Sequence, residues 1–241
     1  MDTIKFENKS SVKMIAHRGL SGLERENTCP AFVAAGVKSY YGIETDVHVT
    51  LDGRYIIIHD DNLKRVGGGL EMVVEQSLFD DLRAIRLTDR DGVTKRADIF
   101  LPTLEEYLSI CKKYGKVAVL ELKNEMSEQH VIGIANVVRE MEMFGQTTFI
   151  SFARGNLVAL RAAYPDADVQ WLLGSISDDK LELLISSGMD ADVAGSALTK
   201  EFIDAMHAAG RVVNAWTIDS LETAAHLRDI GVDMITTNIL E

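Results

Sequence analysis

Two carboxylates, Glu44 and Asp46, stand two positions apart in the strand-like run Gly42–Val47, and two imidazoles, His17 and His59, end separate apolar runs. Side chains two apart on a strand project from one face, with Cα atoms ~7 Å apart, so one cation can bridge the carboxylates. Two like charges that close to an anionic ligand need a counter-charge, and a hard, oxygen-ligated cation such as Mg²⁺ or Ca²⁺ supplies it. Glu121, in Glu121-Leu122-Lys123 at the end of another apolar run, is the natural third ligand. The sequence has neither paired cysteines nor a His-x-x-x-His helix, which argues against a structural or protease-type zinc site.

His17 and His59 come from different strands and would flank the cation, one imidazole taking a proton from an attacking oxygen and the other giving one to a leaving alkoxide. Arg18 and Lys123, cations at strand ends, suit non-bridging phosphate oxygens and the charge that grows on them in a transition state. Singly these motifs are weak. A His-Arg-Gly tripeptide arises by chance, an acidic pair on a strand is commonly a salt-bridged edge, and Glu-Leu-Lys suits any amphipathic helix. Their co-occurrence in chain order, at strand ends, points to catalysis. His48 shares the face of Glu44 and Asp46, but a packed or hydrogen-bonded structural role is the preferred reading over ligation. His130, His207 and His226 fall on helical segments as surface or packing residues. Trp216 is either a core aromatic or a platform at the site.

These residues need elements that bring them to one place. Eight short apolar runs read as strands buried on both faces: Val12–Ala16, Gly42–Val47, Val117–Leu122, Thr147–Phe152, Val169–Leu173, Ala191–Ala194, Val212–Ile218 and Asp233–Thr236. Segments of helical period lie between them, including Thr28–Val37, Gln129–Met143, Asn156–Ala163, Asp178–Ser187, Lys200–Ala209 and Leu221–Asp229. Gly36, Gly115, Gly145, Gly188, Gly210 and Gly231 follow helical runs, where a left-handed residue is cheapest as glycine. Thr103 with Glu106 forms a capping-box pattern, and Asp219 or Ser220 can cap the last helix. A doubly wound sheet uses the same alternation, but eight βα units of ~30 residues favour a (β/α)₈ TIM barrel, whose active site forms at the strand C-termini. The expected organisation is one domain over 1–241, with a strandless insertion at about 61–100 on the catalytic face after the second strand. Gly67-Gly68-Gly69 within it lacks the Lys-Ser/Thr of a P-loop and reads as a mobile turn.

Composition sets the limits. The chain has 241 residues, 46% hydrophobic and 26% charged, with three prolines, as an ordinary globular protein does. Lys plus Arg number 25 against 37 Asp plus Glu, a net charge of −12 that disfavours nucleic acid and anionic membranes. An anionic substrate must therefore meet a locally positive site. Met1–Ser11 lacks the apolar stretch of a secretory signal, and no run is long enough to span a membrane. With Cys29 and Cys111 far apart, reduced thiols and a cytoplasmic location are the expectation.

The order of motifs resembles that of the glycerophosphodiester phosphodiesterase family. Ala16–Gly19, Glu26–Thr28, Glu44–Val47, Asp52-Gly53, His59-Asp60, Leu101–Glu106, Glu121–Lys123, Ile150–Phe152 and Trp216-Thr217 all match in sequence, over almost the whole chain. The resemblance implies a TIM barrel with a small insertion after the second strand and one divalent cation, Mg²⁺ or Ca²⁺, on Glu44, Asp46 and Glu121. It further implies His17 and His59 as acid/base pair, phosphate held by Arg18 and Lys123, and Trp216 on the glycerol side. The implied substrate is a small glycerophosphodiester, cleaved to an alcohol and glycerol 3-phosphate, with attack by the substrate's own glycerol hydroxyl as one route. Three departures stand out: Arg25 replaces the usual proline before Glu-Asn-Thr, the hairpin reads Thr50-Leu51-Asp52-Gly53, and the final Thr-Asp-x-Pro pattern becomes Thr236-Thr237-Asn238-Ile239-Leu240.

Two rival readings remain. A phospholipase C-like or sphingomyelinase D-like phosphodiesterase forming a cyclic phosphate is disfavoured by the acidity and the missing apolar rim. A non-catalytic phosphoester-binding barrel is disfavoured by the histidine pair, since binding alone needs no proton donor. The sequence is silent on oligomeric state.

Overall fold

The computed structural model describes residues 2–241. In chain order, β1 (Lys13–Ala16) leads through α1 (Cys29–Gly36) to β2 (Gly42–Val49). A long connection follows, with β3 (Tyr55–Ile57), α2 (Phe79–Ala84), β4 (Arg86–Thr88) and β5 (Lys95–Phe100), before α3 (Leu104–Tyr114). The alternation then runs β6 (Val117–Leu122), α4 (Glu128–Glu140), β7 (Thr147–Ser151), α5 (Arg154–Ala163), β8 (Asp168–Leu173) and α6 (Asp178–Ser187). It ends with β9 (Asp190–Ala194), α7 (Lys200–Ala208), β10 (Val213–Trp216), α8 (Leu221–Asp229) and β11 (Met234–Thr237).

Eight of these strands pair in parallel in the order β1-β11-β10-β9-β8-β7-β6-β2, and the β1–β2 pairing closes the ring into a (β/α)₈ TIM barrel. The period-2 alternation of the strands separates two cores. Ile15, Val119, Ile150, Leu172 and Met234 fill the lumen, while Ala118, Leu120 and Leu122 of β6 turn outward beneath the helices. Among the described residues no helix is long and apolar enough to cross a membrane.

The helix ends follow local chemistry. Thr103 and Glu106 close a reciprocal capping box at the start of α3, and Gly115 and Gly188 end α3 and α6 in left-handed conformation at φ 63° and 64°. Ser220, rather than Asp219, caps α8. Gly36 does not end its helix as expected. It lies in the last turn of α1, where an added Cβ would come within 2.5 Å of the Tyr114 ring, so close packing, not backbone freedom, selects glycine there.

The insertion also differs from expectation. It is not strandless, because β4 and β5 form an antiparallel pair around the Asp89–Gly92 turn. A core of its own supports it: Ile56, Ile58, Leu63, Val66, Val74, Phe79, Leu82, Leu87, Ile99 and Leu101 are buried together, and burying each such side chain contributes roughly 1.5–3 kcal/mol. The packed unit begins at β3, which pairs antiparallel with β2, and so extends beyond residues 61–100. Gly67–Gly69 forms a turn with Gly68 and Gly69 at positive φ. Arg25 ties the hairpin to the barrel: its Nε donates to the Thr88 carbonyl at 2.5 Å and its Nη2 to the Asp89 carbonyl.

Candidate active site

The parallel register of β2 and β6 sets Asp46 opposite Glu121 and Glu44 opposite Val119, so three carboxylates enter the lumen from adjacent strands. All three are buried, and each offers an oxygen within 4.8 Å of the others. The Glu44 Oε2 accepts the Arg18 backbone N–H at 2.7 Å, a contact shaped by the positive φ of Arg18, 54°. Asp46 Oδ2 accepts from Asn27 Nδ2 at 2.7 Å, and Thr45 Oγ1 donates to the Asn27 side-chain Oδ1 at 2.7 Å. Lys123 Nζ lies 3.0 Å from Glu121 and 3.7 Å from Asp46, while Arg18 Nε lies 3.6 Å from Asp46.

Electrostatically the cluster is over-supplied with negative charge. Burial, reinforced by Asp46, pushes Glu44 well above the usual carboxylate range and Glu121 up to about 8. Asp46 is buried too, but Arg18 and Lys123 outweigh the burial and hold it well below that range. Its Oδ1 nevertheless has no hydrogen-bond partner. An orphaned, ionised oxygen among three converging carboxylates is the donor set of a hard divalent cation, and the residues present fit one.

The two imidazoles are held from behind. Asn238 Oδ1 lies 2.8 Å from His17 Nδ1, and Asn238 Nδ2 donates to Asp219 Oδ2 at 2.6 Å. The Asp219 carboxylate can only accept, so it fixes the amide orientation; His17 must then donate from Nδ1, leaving Nε2 as the basic nitrogen, 4.0 Å from Glu44. Burial, then the Arg18 charge, lowers His17 to about 4. His59 instead meets a carboxylate, its Nδ1 lying 2.8 Å from Asp60 Oδ1. Burial lowers His59 as well, although the buried Asp46 charge and Asp60 oppose it. His48 takes the structural role preferred from sequence, fully buried between Glu75 and the His59 carbonyl at 3.2 and 3.4 Å.

Behind Asp60 stands Arg65, from the insertion. Its guanidinium donates to both Glu26 oxygens at 2.7 Å and to Asp60 at 2.8 and 2.9 Å. Glu26 in turn accepts from Arg18 at 2.9 Å. Charges of alternating sign thus run from Arg18 through Glu26, Arg65 and Asp60 to His59.

His17, Arg18, Glu44, His59, Glu121 and Trp216 line one cavity at the C-terminal ends of the strands. Asp46 and Lys123 adjoin it through their contacts with Arg18 and Glu121. Apolar Ile150, Phe152 and Leu172 complete the lining, and the Phe152 and Trp216 rings meet edge-to-face, centroids 5.6 Å apart. Trp216 is anchored by its indole N–H, which donates to the Asp192 carbonyl at 3.1 Å.

Residues 17–241 match the glycerophosphoryl diester phosphodiesterase family over most of the chain. The chain belongs to that family. The glycerophosphodiester phosphodiesterase of Bacillus altitudinis is 28% identical over 234 residues, covering 94% of each chain. That of Bacillus subtilis strain 168 is 26% identical over 248 residues, covering 93% of this chain and 82% of the relative. Among solved structures, an Oleispira antarctica phosphodiesterase in complex with the product sn-glycerol-3-phosphate has a TM-score of 0.86 at 26% identity, over 94% of this chain and 92% of that one.

Membership places the protein among the glycerophosphodiester phosphodiesterases, hydrolases of phosphoric diesters. Several residues of the site went unassigned in the sequence. Glu26, Asp60 and Phe152 sit inside the matched motifs, where their neighbours drew the attention. Asn238 lies in the altered terminal segment, and its contact with His17 shows what that alteration touches. Arg65 and Asp192 carry no local signal, because their partners are distant in sequence.

Proposed function

We propose that the protein, acting as one domain over residues 1–241, hydrolyses small glycerophosphodiesters to an alcohol and glycerol 3-phosphate with the aid of one divalent cation, Mg²⁺ or Ca²⁺. The observation that carries this reading is a single cavity that gathers the carboxylate cluster, both imidazoles and a Trp216–Phe152 platform. That combination suits a substrate with a charged phosphate and a small carbon skeleton. Glu44, Asp46 and Glu121 would hold the cation, which when bound supplies positive charge to a non-bridging phosphate oxygen.

The remaining work falls to the chain's own groups. Arg18 and Lys123, now paired with carboxylates, turn their charge to the phosphate and stabilise its transition state. His17, backed by a neutral amide and depressed to about 4, stays unprotonated near neutral pH and accepts a proton at Nε2 from the attacking oxygen. His59, backed by the Asp60 carboxylate, is the imidazole better able to carry a proton and gives it to the leaving alkoxide. The Trp216–Phe152 wall lies against the glycerol half and keeps water from it.

A cation-titrated turnover assay with glycerophosphocholine, glycerophosphoethanolamine and glycerophosphoinositol tests this reading. The expected result is release of glycerol 3-phosphate that chelation abolishes and Mg²⁺ or Ca²⁺ restores. No release from any of the three overturns it. Equal cleavage of a diester lacking the glycerol hydroxyls would exclude attack by the substrate's own hydroxyl.

A further inference from the structure

Asp192 points from β9 into the barrel lumen and lines the same cavity as the carboxylates and imidazoles, yet the motifs account for nothing it does. It is 1% exposed, and its neighbours in register are Leu172 on β8 and Asn214 on β10. Its Oδ1 is buried with no hydrogen-bond partner. The neighbouring Asn214 amide donates to the Thr236 hydroxyl at 3.0 Å and leaves that oxygen unmatched. A buried carboxyl left unpaired costs stability, and an apolar residue would fill the same place beside Leu172 and Trp216 without that cost.

We propose that Asp192 is the specificity residue for the polyol half of the substrate, its carboxyl forming a hydrogen bond with a glycerol hydroxyl at the far wall of the cavity. This rests on the glycerophosphodiester reading above and names the group that distinguishes glycerol from a plain alkyl chain. The placement fits. The phosphate-binding cations and the imidazoles come from the ends of β1, β3 and β6, whereas Leu172, Asp192 and Trp216 lie on β8, β9 and β10, across the ring of strands. Burial pushes the Asp192 carboxyl up to about 8, against a smaller opposing effect of Asn214. A neutral acid both donates and accepts, as a hydroxyl does, and no net charge is left uncompensated in the apolar wall. A site built to bond a hydroxyl discriminates strongly against an analogue lacking it, because the buried polar group is then left unpaired.

The test compares glycerol 3-phosphate with n-propyl phosphate, which has the same carbon chain and no hydroxyls, by calorimetry on the Mg²⁺-loaded protein. Turnover of glycerophosphocholine, glycerophosphoethanolamine and glycerophosphoinositol is measured on the same wild-type preparation. The wild-type protein is expected to prefer glycerol 3-phosphate, and Asp192→Val to reduce that preference by roughly ten-fold or more while changing n-propyl phosphate affinity less than about two-fold. Asp192→Asn, which can still donate and accept, retains part of the preference and controls for folding, as does an undiminished melting temperature. A wild-type preference that Asp192→Val leaves intact overturns this inference alone, and so does an equal loss for both phosphates. Failure of the wild-type protein to hydrolyse any of the three overturns the functional reading, and this inference with it.

Discussion

Asp60 holds His59 by a 2.8 Å contact between its Oδ1 and the imidazole Nδ1. The carboxylate opposes the lowering of the His59 pKa by burial. If His59 gives up the proton, it must be protonated when substrate binds, and its pKa sets the alkaline limb of the pH–rate profile. Asp60→Asn removes the negative charge, lowers the pKa and moves that limb to lower pH. Profiles of kcat/KM for the wild-type and variant proteins check this, and an unmoved alkaline limb would take the acid role away from His59.

In the proposed mechanism His17→Ala and His59→Ala each delete one proton transfer, and kcat is expected to fall by ~10² to 10⁴. Both rings line the cavity rather than the core, so the folded state should survive, with the circular dichroism spectrum unchanged. A variant that keeps the wild-type rate has lost no catalytic group.

The carboxylate cluster predicts proton release on cation binding. Without a cation, Glu121 is pushed up to about 8 and Glu44 is raised as well, so protons are bound near neutral pH. A cation ligated there must displace them, and its affinity should weaken as pH falls. Calorimetric titration with Mg²⁺ in buffers of different ionisation enthalpy measures the displaced protons directly. Glu44→Gln or Glu121→Gln should reduce both their number and the affinity, and binding with no proton exchange would place the cation elsewhere.

Glu26 links pH to stability. Burial opposes its ionisation, but Arg65 and Arg18 outweigh it and bring its pKa from the ordinary 4.5 to about 2. The folded state therefore binds fewer protons at this group than the unfolded chain does. The stabilisation is complete above pH 4.5, where both states are ionised, and is lost as pH falls towards 2. It is on the order of 2–3 kcal/mol, and Glu26→Gln should narrow the gap between urea-unfolding free energies at pH 6 and pH 3. An undiminished gap would assign acid sensitivity to other groups.

The sequence by itself determined the barrel and the residues gathered at its mouth. Strands covered on both faces must be continuously apolar, so polar residues at their ends are conspicuous, and period 2 alone puts Glu44 and Asp46 on one face. His17, His59, Glu121 and Trp216 were legible for the same reason, each ending or following an apolar run. Tertiary structure decided what supports them. Arg65 reaches Glu26 across 39 positions, and His17 reaches Asn238 across 221, pairings with no local period to reveal them. The β4–β5 hairpin was hidden because most of its charged face is exposed and only Leu87, Thr88 and Ile99 turn fully inward, too few to stand out as strands. Asp192 was hidden differently. One acid in a short apolar run reads as a strand end, and only closure of the barrel places it, with one oxygen unpartnered, in the same cavity as the histidines.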